Sequence, residues 1–328
     1  MRKKRKITIK DVAKKAGVGV GTVSRVINNN PHVKAQTKEH VLKVIQELGY
    51  LPNPHARRLS SGHTKIVTTI FPQMVGEFHQ LLLSGIDSEL EKEGYTSFVY
   101  PLYSENRYNF VRESSDFVLG TDGLIVDALN VDQLLLQFIP KNMPVVSVEY
   151  ESEMYDSVLV DNYYGGMLAG DYLANFDEEI YIITHKKEGQ LESTVFEERV
   201  NGFIESIERK GRKVTQIFEI QLDWLQAFNT AKIIFSNSKK CAIFAATDYF
   251  AFPVLEYARV VGLEPNKDFH LCGFDNLTLS DILNITTIKQ PIVEMGSIAG
   301  QILLRKILGY VRKPQTIVLK PELILRKT

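Results

Sequence analysis

Residues 8–29, TIKDVAKKAGVGVGTVSRVINN, read as two short helices joined by a tight turn. Ile9, Val12, Ala13 and Ala16 fall at i, i+3, i+4 and i+7, which is one face of a helix. Thr8 is placed to cap it, with Asp11 in the reciprocal place of a capping box. Gly17 ends it, because a left-handed residue after the last turn costs glycine nothing. A second helix starts at Val20. Val23, Val26 and Ile27 form its inner face, and Val20, Gly21, Thr22, Ser24 and Arg25 stay outside. Two helices around a glycine-containing turn, with small residues and one Arg on the outer face, fit a helix-turn-helix. The second helix of such a pair can enter a DNA major groove.

Around this pair the chain has a distinct head. Arg2 to Lys6 is a five-residue basic arm, suited to phosphate contact or to solubility alone. After the loop NNNPH a third helix is predicted from Thr37 to Leu48, with Val41, Val44, Ile45 and Leu48 inside and Gly49 as its stop. Asn53 and Pro54 are a good N-cap and first helical residue, so a short helix can begin there and end at Gly62. The charge is uneven. Residues 1–65 hold 15 Lys/Arg against 3 Asp/Glu, a net of +12, and the rest carries −12. A basic head on an acidic body suits a polyanionic partner.

From Lys65 the pattern becomes alternating strands and helices over a chain long enough for two or three domains. Runs such as KIVTTIF, DGLIV, PVVSV, EIYIIT, CAIFAAT and FHLCGF read as strands, with helical stretches between most of them. This alternation predicts α/β units on parallel sheets, and the number of strands favours two sheets over one. Cys241 and Cys272 lie in apolar strand-like runs, as buried thiols do. The seven His residues are scattered, with no metal-ligand spacing, so neither metal nor cofactor is expected. The MRKKRK start is not followed by an apolar run, so no signal peptide or membrane partner is expected and the cytoplasm is the expected location.

IKDVAKKAGVGVGTVSRVINN, followed by HVKAQTKEHVLKVIQELGYLPNPHARRL, resembles the lactose-repressor (LacI/GalR) family. The likeness is most specific over residues 8–60 and thinner, motif by motif, to about Arg326. It implies a helix-turn-helix head at 1–50, a hinge helix at 51–64, and a two-lobed body of the periplasmic-binding type at 65–328. One lobe is expected at about 65–160 and 290–320, the other at 161–289 and 321–328. By resemblance Val20, Gly21 and Arg25 hold the base-reading positions, and Arg25 can donate twice to a guanine edge. Thr8, Thr22, Ser24, Asn28 and Asn53 join the DNA-contact set. Leu59, with Ala56 near it, falls on the leucine that wedges into the minor groove. Gly19 and Gly21 depart from the side-chain-bearing residues more usual there.

Ligands in such bodies bind at strand carboxyl ends. The resemblance and the strand ends together mark Met74, Phe78, Tyr164, Arg199 (in the family's R-x-x-G-F position), Trp224, Thr247, Asp248 and Asp275 as effector-binding candidates. Thr247 stands where Asn is more usual. An aromatic ring with paired cation and carboxylate suits sugar hydroxyls, whereas Trp224 could be core, Arg199–Asp275 an ion pair and Asp248 a helix cap. The expected function is a sequence-specific transcriptional regulator, a repressor of carbohydrate-use genes whose affinity for a near-palindromic operator changes with a bound sugar. A purine-type corepressor or a phosphoprotein partner is the alternative effector. With no heptad tail after the final strand-like run, a homodimer is expected. A sugar-binding protein without a DNA role fits the body but not the basic head. An enzyme using Asp248 and Asp275 lacks a nucleophile or metal motif, so no catalytic residue is assigned.

Overall fold

The computed structural model describes residues 7–27, 30–50, 63–72, 76–113, 120–135, 139–140, 142–186, 194–238, 240–310 and 312–328. The chain divides into two compact units, Met1–Thr64 and Lys65–Thr328.

The first unit holds three helices among its described residues: α1 (Ile9–Ala16), α2 (Val20–Ile27) and α3 (Ala35–Leu48). The Asp11 carboxylate takes the Thr8 backbone N–H at 2.9 Å and the Thr8 hydroxyl at 2.7 Å. Gly17 and Gly49 end α1 and α3 with φ of 65° and 61°, a conformation that only glycine adopts freely. α3 begins two residues before the position read from the sequence, at Ala35 after Lys34. Val12, Val23, Val26, Val41, Val44 and Tyr50 form the small core. His40 reaches the Ala16 carbonyl at 3.2 Å and pins α3 to the end of α1.

The second unit is built on two sheets. The first contains β1 (Ile66–Phe71), β2 (Thr96–Pro101), β3 (Gly123–Asp127), β4 (Val145–Val148), β5 (Asp156–Val160) and β11 (Thr316–Leu319), in the order β11-β5-β4-β3-β1-β2. The second contains β6 (Glu179–His185), β7 (Val214–Ile220), β8 (Cys241–Ala245), β9 (Phe269–Asp275), β10 (Thr286–Lys289) and β12 (Glu322–Ile324), in the order β12-β10-β9-β8-β6-β7. The pairings are parallel, apart from the antiparallel β10–β12 pair at an edge. Each sheet therefore repeats one winding, in which the first strand of the set has its second strand on one side and its third on the other. The helices are α4 (Gly76–Leu90), α5 (Glu105–Glu113), α6 (Val131–Leu134), α7 (Asn162–Leu173), α8 (Val195–Arg209), α9 (Trp224–Asn237), α10 (Asp248–Val260), α11 (Thr278–Ile282) and α12 (Ile292–Ile307).

Two helix pairs clamp the layers. A Cβ on Gly85 would meet the Val293 carbonyl at 2.1 Å, and one on Gly296 the Leu82 carbonyl at 2.1 Å, so α4 and α12 touch backbone to backbone. Gly166 and Gly202 do the same for α7 and α8, where a Cβ would lie 2.0 Å from the Arg199 and Tyr163 carbonyls. This explains the spacing of R-x-x-G-F. Gly202 seats α8 against α7, and the following Phe203 stacks on Phe244 with ring centroids 4.5 Å apart. Both cysteines are buried free thiols. Among the described residues no helix is long and apolar enough to cross a membrane.

Candidate functional site

In the first unit the face expected to read DNA is the outside of α2. Val23 and Val26 are buried against α1 and α3, which turns Val20, Gly21 and Arg25 to solvent and leaves Thr22 and Ser24 half-buried. The Gly19 carbonyl accepts the Thr22 and Val23 amides, so α2 starts without a capping side chain. Open space surrounds Gly19 and Gly21, within which a side chain would meet nothing. Thr8 is exposed at the start of α1. Asn28, Asn53, Ala56 and Leu59, together with the basic arm, lie outside the described residues.

In the second unit a cavity of about 710 Å³ opens at the carboxyl ends of both sheets. In a doubly wound sheet this is the end where connections diverge and leave a crevice. Asp127 ends β3, Glu149 follows β4, His185 ends β6, Thr247 follows β8 and Asp275 ends β9, and all five line the cavity. Phe78, Phe196 and Tyr249 supply aromatic wall. Ala128, Glu149 and Asp275 have φ of 48°, 55° and 124°, left-handed values that side-chain-bearing residues adopt at a cost. Such strain gathers at binding sites, where surrounding contacts hold it in place.

A polar relay crosses from one sheet to the other. Glu149 accepts the Val160 amide at 2.8 Å and the Asn162 side-chain amide at 2.9 Å. The Asn162 carbonyl oxygen accepts Arg199 Nε at 2.8 Å. One terminal nitrogen of Arg199 donates to the Ala246 carbonyl at 2.9 Å and to Asp275 at 3.4 Å. Asp275 also accepts the Thr247 hydroxyl and the Gln290 amide, both at 2.6 Å. The guanidinium lies over the Phe274 ring, 3.9 Å from its centroid. Burial pulls the Arg199 pKa down, while Asp275 and Glu149 hold it up. Burial pushes Asp275 and Glu149 upward, and Arg199 offsets part of this for each. Across the cleft, Glu77 on α4 accepts the Thr278 backbone amide at 3.1 Å and its hydroxyl at 2.5 Å.

Of the effector candidates, Phe78, Arg199, Thr247 and Asp275 meet at this cavity. Three do not line it. Asp248 is wholly buried behind it, where Oδ2 accepts the Leu277 amide at 2.9 Å and the Ser280 hydroxyl at 2.5 Å, and Oδ1 the Thr287 hydroxyl at 2.7 Å. Burial, with Asp275 near, raises its pKa to about 7. It fastens α10 to α11 and β10. Trp224 opens α9 one turn before the buried face of Ala227, Ala231 and Ile234 and stays 42% exposed. Tyr164 is near the start of α7, its ring 6.0 Å from the Lys320 ammonium and largely solvated. Met74 lies outside the described residues. Sequence reading missed Asp127, Glu149, Asn162, Gln290, His79 and Glu77. The first two end or follow strands, and weighing every strand end alike would have found them.

Two family models match the chain: bacterial regulatory proteins of the lacI family over residues 8–53, and a periplasmic binding protein-like domain over residues 178–328. The HTH-type transcriptional repressor PurR of Escherichia coli O1:K1 / APEC is 29% identical, with 98% of this chain and 96% of that protein covered. A probable transcription regulator from Thermus thermophilus, known as a crystal structure, is 31% identical, with a TM-score of 0.69 over 80% of this chain and 96% of that one. The lac repressor dimer bound to operator and an anti-inducer shares the fold, with a TM-score of 0.76 at 22% identity over 99% of both chains. With its helix-turn-helix head and its cleft between two wound sheets, the chain belongs to the lacI family of bacterial regulatory proteins, the DNA-binding regulators of transcription.

Proposed function

We propose that this regulator represses carbohydrate-use genes and that a sugar-like effector in the cleft changes its affinity for operator DNA. The single observation that carries the effector reading is the cavity itself, with its strained rim and its Arg199–Asp275–Thr247 group. Hydroxyls donate and accept at once, so a cation and carboxylates side by side suit them. Phosphorylated sugars fit less well, since Arg199 is the lone Lys or Arg among the described lining residues and Glu77, Asp127, Glu149, Glu197, Glu219 and Asp275 line the same space.

In this reading a homodimer presents two copies of α2 to a near-palindromic site in the cytoplasm. Exposed Phe98 on β2 and exposed Leu225, Val260 and Ile282 on α9, α10 and α11 are side chains that a second copy would cover. Val20 offers apolar contact to a thymine methyl, and Arg25 a forked pair of donors to guanine. The effector acts only through unequal affinity for two arrangements of the body.

The test is selection of DNA from a random pool by the full chain, followed by titration of the winning sequence with and without a sugar panel. Enrichment of a two-fold symmetric site, with affinity falling steeply as salt rises, is the expected outcome. A pool that stays random would overturn the operator reading, and an operator whose affinity no sugar alters would overturn the sugar.

A further inference from the structure

Asp127 is the least satisfied group in the cleft. It ends β3 with its side chain 1% exposed, yet no hydrogen bond reaches Oδ1 or Oδ2. His79 Nε2 stands 3.6 Å from Oδ2, beyond hydrogen-bonding range and an ion pair only when the imidazole is protonated. The other carboxylates of the relay are answered within the protein, as given above for Glu149 and Asp275. A buried polar atom left unpaired costs free energy that a ligand can recover. Among the described residues no three His, Cys, Asp or Glu side chains converge as metal ligands. Burial first, and then the Glu149 charge, push the Asp127 carboxyl well above the usual carboxylate range. A positive charge beside it would favour the ionised form and so work against that rise.

The rest of the lining agrees. The lone described guanidinium is already held by Asp275, Asn162 and the Ala246 carbonyl. Phe78, Phe196 and Tyr249 line the same space, and aromatic rings of this kind can attract cations.

We infer that the effector carries a protonated amine, as an aminosugar does, and that its ammonium group docks on the orphaned Asp127 carboxylate at the end of β3. This rests on the cleft being the effector site and narrows the class of molecule it takes. The hydroxyls of such a ligand then face the Arg199–Asp275–Thr247 side, while a phosphate would meet an acidic lining.

The experiment uses the full chain and a panel of free aminosugars and short diamines, each matched to its hydroxyl counterpart and, for the sugars, to the 6-phosphate. Thermal unfolding finds binders, and calorimetry gives their affinities, for the native protein and for Asp127→Asn. The expected result is stabilisation by one or more amines and not by their matched partners, with affinity at least tenfold weaker in Asp127→Asn. The ligand-free variant must show a single cooperative unfolding transition close to that of the native protein, which shows that it folds and that a weaker amine affinity is a loss of binding. Stabilisation by hydroxyl or phosphate compounds in preference to amines overturns the inference. Equal amine affinity in native and variant protein overturns it, and so does a panel in which no amine binds at millimolar concentration. Operator binding by the native protein, measured alongside, separates the two claims. If it persists while the amines fail, the regulator reading stands and the amine is wrong.

Discussion

The outer face of α2 and the cleft between the sheets are built in opposite ways. On α2 the reading positions are solvated, two of the flanking residues are glycines in open space, and Arg25 extends outward from a core that does not need it. Behind and along the cleft, Arg199, Asn162, Glu149 and Asp275 are buried and bonded to one another, so the lining groups Arg199, Glu149 and Asp275 also hold the sheets together. Specificity on α2 can change without touching stability. Specificity in the cleft cannot, and Asp127, which stands outside that network and takes no hydrogen bond, is the exception.

The largest effect should come from Arg199→Ala. Removing one partner from a buried ionic network leaves Asp275 and Glu149 uncompensated and should cost about 3–5 kcal/mol, read from urea unfolding of the body. A loss below about 1 kcal/mol, the scale of a solvated surface pair, would erase the contrast between the regions. Arg25→Ala should come next. It should weaken operator binding by about 1–3 kcal/mol and relax preference at one base position, with the unfolding midpoint unchanged. A variant that lost stability instead would mean that Arg25 belongs to the head's fold. The smallest effect should be Gly21→Ala. A methyl group there meets open space, so the helix should gain about 0.5–1 kcal/mol, seen as slower hydrogen exchange in α2. Destabilisation would show that α2 does not have the freedom assigned to it.

The same contrast decides what could be read from the sequence. The head is local, with a buried stripe at helical spacing, Gly17 and Gly49 as stops and Thr8 with Asp11 at the start, all within a few residues of each other. The strands of the body were legible too, as short apolar runs between turn signals. The short helices α5, α6 and α11 were not read. The cleft is assembled from residues far apart in sequence, and periodicity says nothing about which way a strand-end side chain turns. Asp248 and Asp275 look alike as carboxylates beside strand ends, yet Asp248 turns back to Ser280 and Thr287 while Asp275 faces the cavity. Trp224 drew attention as the lone tryptophan, a property of composition and not of position. Asp127 was passed over because nothing in DGLIVD distinguishes a satisfied aspartate from an orphaned one.

The backbone contact of α4 with α12 through Gly85 and Gly296 also bears on how the chain emerges during synthesis. α12 packs over the face of the first sheet that carries Ile125, Val146 and Val158, but it is translated after the whole second winding has been made. At ribosomal speed that delay is on the order of ten seconds. The head, whose contacts are local, can fold in that interval, while β1 and β3–β5 wait with an apolar face uncovered. The helix-turn-helix head can thus be finished long before the last helix of the body is made.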